Sequence, residues 1–147
     1  SSNTIDYVTI GSTGNASDFG DLSVVRNRYA CACSNTRGLF MGGYNSSGSY
    51  SGTSSRLNVI DYITIASTGN ASDFGDLTAY GDGGATSNST KAIFSYANEH
   101  GFTGDAADTN TIDKVTIAST GNASDFGDAA TNTGSTVRAT SDSHGGL

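Results

Sequence analysis

Apolar and polar positions along the chain alternate in short runs, and none repeats at the helical period of about 3.6. The runs are rich in β-branched and aromatic residues, and each is bounded by Gly, Asn, Asp or Ser, which predicts strands joined by turns. In "IDYITI", alternation puts Ile60, Tyr62 and Thr64 on one face and Asp61, Ile63 and Ile65 on the other. Large apolar groups on both faces predict a strand covered on both sides, as in small sheets packed one against the next. The pattern predicts a unit of four strands. "ACACS" (Ala30–Ser34) is the first, followed by a turn at Asn35–Gly38. "LFMGG" (Leu39–Gly43) is the second, "IDYITI" the third after a long polar loop, and "SDFGDL" the fourth. The expected fold is all-β, built of four-stranded antiparallel sheets.

The unit recurs. "TGNASDFGD" stands unchanged at Thr13–Asp21, Thr68–Asp76 and Thr120–Asp128, with spacings of 68−13 = 55 and 120−68 = 52. Before each copy comes "NTIDYVTI" (Asn3–Ile10), "NVIDYITI" (Asn58–Ile65) or "NTIDKVTI" (Asn110–Ile117). A period of this size implies stacked supersecondary units. We take the chain as a single domain, 1–147, divided into a half unit (1–22), two whole units (23–77 and 78–128) and a second half unit (129–147). Within the phrase, Gly14 and Asn15 suit a tight turn, as do Gly69, Asn70, Gly121 and Asn122. Asp18, Asp73 and Asp125 suit an Asx-turn. Phe19, Phe74 and Phe126 are the lone large apolar groups and are expected to anchor the fourth strand between adjacent sheets. Gly20 permits a close approach, and Asp21 caps the next turn. Threefold identity fits a packing problem solved anew at every sheet; a ligand site needs no such repetition.

Composition narrows the function classes. The chain carries 14 acidic and 7 basic side chains, for a net charge of −7, which disfavours nucleic acid as a partner. Hydrophobic residues make up only 35%, but regularly placed β-branched and aromatic residues argue against disorder. No apolar run approaches the roughly 18 residues of a membrane span, and "SSNTIDY" shows no basic-then-apolar leader. Cys31 and Cys33, two apart on one strand, are expected to be small buried thiols, since a bridge across that span is strained and two ligands are too few for zinc. "NAS" matches the glycosylation sequon at Asn15, Asn70 and Asn122, and Asn45 and Asn88 match too; turn chemistry is the preferred reading. "DFGD" lacks the dense alternating oxygens of a calcium loop. His100 and His144 fall in non-equivalent loops, and no nucleophile-elbow, phosphate-loop or zinc spacing is present. No catalytic residue, metal or cofactor is expected.

The unit length, the glycine pair ending strand two (Gly42–Gly43), the "I-x-Y" strand three (Ile60–Tyr62) and the aromatic in strand four together resemble a kelch repeat. The second unit departs, with "IFSYAN" where the glycine pair would stand, and Phe replaces the family's usual Trp. The full phrase is more similar to kelch-like repeats in virion proteins of tailed phages, marine cyanophages among them. The resemblance implies β-propeller blades, about three in this chain, which are too few to close a ring. Completion is then expected from further repeats of a longer polypeptide or from other copies of the chain. It also implies a non-enzymatic virion protein of a tail fibre, tail or capsid appendage, located in the virion; a bacterial secreted or cell-surface adhesin is the alternative. Expected partners are copies of itself, other virion proteins or a host surface glycan, with no membrane insertion. Recognition is expected in the loops Tyr44–Asn58 and Tyr96–Asn110, with Tyr44, Tyr50, Tyr96, His100 and Phe102 as exposed aromatics among Ser, Gly and Asn. Loop filling or packing is the other role open to them.

Overall fold

The computed structural model describes residues 2–45, 56–97 and 110–130, which form ten β-strands and no helix. Strands β1 (Ser2–Tyr7) and β2 (Ser17–Arg26) pair as a two-stranded sheet. Strands β3 (Ala30–Cys33), β4 (Arg37–Met41), β5 (Val59–Thr64) and β6 (Ser72–Asp76) form a four-stranded sheet in chain order. Strands β7 (Asp82–Ser87), β8 (Lys91–Ala97), β9 (Thr111–Thr116) and β10 (Ser124–Asp128) form another. Every pairing is antiparallel. The all-β expectation and the four-strand unit therefore hold, and the strands lie close to where hydrophobic alternation put them.

Short polar turns close the first hairpin of each four-stranded sheet. Ser34 Oγ accepts the Thr36 and Arg37 amides, and Asn88 Oδ1 accepts those of Thr90 and Lys91, so the side chain stands in for a backbone partner. That is turn chemistry at Asn88, as the sequence suggested. The main core lies between the two four-stranded sheets, where Leu39, Met41, Ile60, Phe74, Phe94 and Ile117 are all buried. A smaller cluster of Ile5, Phe19 and Leu22 lies between the first and second sheets. Strand β5 is covered on both faces as expected, with Ile60 and Asp61 both fully buried.

Two burial expectations fail: Phe126, unlike Phe19 and Phe74, is exposed because no neighbouring sheet among the described residues covers it, and the cysteines are not buried. Cys31 and Cys33 are exposed free thiols. In β3 it is Ala30 and Ala32 that enter the core against the third sheet, and alternation then turns both cysteines to the opposite face.

The register also sets which residues are equivalent between units. Phe40 pairs with Asp61 and Phe94 with Asp113, an offset of 94−40 = 54. Tyr96 therefore occupies the position of Gly42. The spacing of 52 that aligned Tyr96 with Tyr44 does not apply here.

Candidate functional site

The repeated phrase builds the joint between one sheet and the next. In each fourth strand the pairing skips the phenylalanine: Ile5 pairs with Gly20 and Asp6 with Asp18, and the same shift brackets Phe74 and Phe126. This is a β-bulge, which re-aims the extra residue. The freed main chain is used by the following sheet. Gly69 donates its amide to the Phe19 carbonyl (2.7 Å), Ala71 donates to the Asp21 carbonyl (2.8 Å), and Asp21 donates to Asn70 Oδ1 (3.0 Å). Fifty-odd residues on, the set recurs: Gly121 to Phe74 (2.7 Å), Ala123 to Asp76 (2.7 Å), and Asp76 to Asn122 Oδ1 (3.0 Å).

Each copy of the phrase thus has two ends. In the middle copy both are engaged: the Gly69 and Ala71 amides give to the sheet before it while Asn70 Oδ1 accepts from Asp21, and the Phe74 and Asp76 carbonyls receive from the sheet after it. The glycine in the receiving half is required twice over. Gly75 has φ of 143°, and a Cβ there would meet the Gly121 carbonyl carbon and oxygen at 2.6 Å. Gly20 is closer still to Gly69. The Asx-turn assignment holds at Asp73 and Asp125, whose side chains accept the Gly75 and Gly127 amides. The structure places Asn70 and Asn122 differently from the turn role expected for them. Their side chains reach the neighbouring repeat, and the neighbouring main chain, rather than a turn cap, engages Asp21.

A second set of contacts backs the first. Asp61 and Asp113, both fully buried in third strands, reach back to the end of the preceding fourth strand. Asp61 accepts the Ser23 amide (3.0 Å) and hydroxyl (2.7 Å), and Asp113 accepts the Thr78 amide (2.9 Å) and hydroxyl (2.7 Å). The remaining acceptor is met in two different ways. In the first joint the buried Arg26 guanidinium donates to Asp61 at 2.5 Å and to the Gly42 and Val59 carbonyls. Burial pushes its pKa down, and Asp61 opposes that shift. In the second joint Gly81 stands where Arg26 does, counted from the phrase, and Tyr96 stands where Gly42 does. The tyrosine ring packs against Gly81, and its hydroxyl donates to Asp113 and accepts the Ala79 amide (3.0 Å). Burial, followed by the bond to Asp113, pushes the Tyr96 pKa well above its ordinary value. The missing glycine pair of the second unit thus has a physical reason: Arg26 with Gly42 is exchanged for Gly81 with Tyr96.

Of the loop aromatics, Tyr44 is half-buried, with the Arg28 guanidinium 5.9 Å from its ring centre, and it bridges to Asn27 and Arg56. Tyr96 is 1% exposed and serves the joint just described, so it is not the surface aromatic it was expected to be. Tyr50, His100 and Phe102 lie outside the described residues, as does His144. The sequence reading missed Asp61, Asp113 and Arg26. A signal was present, because Asp recurs inside an otherwise apolar strand at Asp6, Asp61 and Asp113.

An open groove of about 220 Å³ lies beside the third sheet, with both of the chain's lysines, Lys91 and Lys114, on its rim. Among the described residues, no three His, Cys, Asp or Glu side chains cluster closely enough to hold a metal ion, and no helix is long and apolar enough to cross a membrane. Neither a protein-family model nor a curated protein matches the chain.

Proposed function

We propose that the chain is a non-enzymatic structural module of a phage particle, built of kelch-like propeller blades and belonging to a tail fibre, tail or capsid appendage. One observation carries the structural part of this reading: at both joints between sheets, the hydrogen bonds run from one copy of the repeated phrase to the next. The buried polar groups Arg26, Asp61, Tyr96 and Asp113 are engaged in the same joints. Two meandering four-stranded sheets and a two-stranded one, packed face to face, suit successive blades. The virion assignment rests on the resemblance of the repeat phrase.

Mass spectrometry of purified particles tests it. Peptides of this chain are expected at structural-protein abundance. Their absence from particles, together with recovery from a bacterial cell surface or culture medium, would replace the reading with that of an adhesin. A glycan array probed with the chain tests recognition by the loops between second and third strands.

A further inference from the structure

The joint has a giving face and a receiving face, and one of each is left without a neighbouring sheet among the described residues. The giving face of the first sheet carries Asp6, Val8, Ile10, Asn15 and Ala16. Val8 is 58% exposed and Ile10 98%, whereas their equivalents in the third sheet, Val115 and Ile117, are 5% and 1% exposed. The receiving face of the third sheet centres on Phe126. It is 55% exposed, whereas Phe19 and Phe74 are 8% and 2%. Gly127 already holds φ of 144°, matching 148° at Gly20 and 143° at Gly75, but a Cβ there would meet nothing within 4 Å. The receiving half is therefore shaped as in the filled joints. The lysine groove fits the same account. Lys91 pairs with Thr116 as Arg37 pairs with Thr64, and Arg37 donates to the Ile117 carbonyl of the following sheet (2.9 Å).

We infer that the giving face of one copy of this chain docks on the receiving face of a second copy. Asn15 Oδ1 accepts the Asp128 amide, Ala16 covers Phe126, and Lys91 reaches the Ile10 carbonyl. A second copy is the fitting partner because both faces carry the letters that already join sheets inside the chain. Two departures make this joint weaker than the internal ones. Ala130 stands where Ser23 and Thr78 give hydroxyls to the buried aspartate, and Ala129 replaces the buried Leu22 and Leu77. Gly14 lacks the positive φ of Gly69 and Gly121 and adjusts on docking. The contact is head-to-tail, so repetition closes a ring or extends a filament. The inference deepens the structural-module reading but needs only the joint: failure to associate leaves particle membership untouched, and the reverse also holds.

Light scattering after size-exclusion chromatography, from micromolar to submillimolar protein, tests it. The wild-type chain is expected to exceed its 14.9 kDa monomer mass increasingly with concentration. Ile10→Asp and Phe126→Asp each change an exposed side chain, so each variant folds but stays monomeric. Mixed in equal amounts they retain one intact joint between them and form a dimer that grows no further. Asn15→Ala removes one hydrogen bond and weakens association about three- to tenfold. A wild-type chain that is monomeric throughout overturns the inference. So does a mixture that stays monomeric, or any of the three variants associating like wild type.

Discussion

Replacing Arg26 with methionine tests the claim that buried polar contacts, beside apolar packing, hold neighbouring sheets together. Arg26 and Asp61 are both 0% exposed at their side chains, and the guanidinium donates to Asp61 and to two main-chain carbonyls. Methionine fills much of the same volume but leaves the Asp61 carboxylate with only the Ser23 amide and hydroxyl. Removing one partner of a buried pair costs about 3–5 kcal/mol, because an uncompensated charge remains in the interior. At roughly 2–4 °C per kcal/mol for a chain of this size, the melting temperature falls by about 6–20 °C. Asp61→Leu alone is expected to cost a similar amount. The double variant removes both charges and leaves the Gly42 carbonyl without its arginine donor, the Val59 carbonyl with the Gly42 amide, and Ser23, which is exposed and can turn to water. Its loss is therefore well below the sum of the single losses. Urea unfolding followed by far-ultraviolet circular dichroism closes the double-mutant cycle. A loss under about 1 kcal/mol for Arg26→Met, or a double variant equal to the sum, refutes the reasoning.

Tyr96→Phe removes the hydroxyl from buried Asp113 and is expected to cost about 1.5–3 kcal/mol, read from the same unfolding curves. The native pKa of Tyr96 is raised, so above the ordinary value of 10.0 the native state holds a proton that the unfolded chain has released. Stability therefore falls as pH climbs past that point, by up to about 1.4 kcal/mol per pH unit, and Tyr96→Phe flattens this slope. Gly75→Ala and Gly127→Ala share the same backbone strain, but only the first meets a neighbouring main chain, so the first is about 1–3 kcal/mol more destabilising in dilute monomer. Cys31 and Cys33 both react with a water-soluble thiol reagent in the folded chain, and slow reaction limited by unfolding would contradict their exposure.

Strand positions and double-sided burial could be read from the sequence because they depend on alternation, which is local. Ile60 and Asp61 show this, each facing a different neighbour. The joint could not be read, because its partners lie far apart in the chain. Asn70 in isolation looks like a turn residue, and nothing in "TGNA" shows that its side chain meets Asp21 in another sheet. "ACAC" fails for a different reason. Alanine and cysteine are both small and apolar, so the pattern fits either parity, and only packing against the third sheet decides that the alanines go inward. Tyr96 was misplaced by counting residues. The connections from second to third strand differ by two residues (60−41 = 19 against 112−95 = 17), and only the strand register shows that it stands at the position of Gly42.

The chemistry of the joint bears on how the repeats assemble. Apolar faces alone are non-directional, and sheets resting on Leu39, Phe74 and Phe94 would tolerate sliding or turning against one another. Main-chain bonds from Gly69 and Ala71 to the bulged strand, with a buried carboxylate bonded to Ser23 behind them, act at separated points and fix both translation and rotation. Repeating the same bonds between the second and third sheets repeats the same rotation. In stacked repeats this small rotation per unit sets the curvature of the whole array. The angle between successive units is therefore written in the invariant phrase, and the loops between second and third strands are free to vary without disturbing it. This division of labour explains why one part of each repeat is copied letter for letter while the part beside it is not.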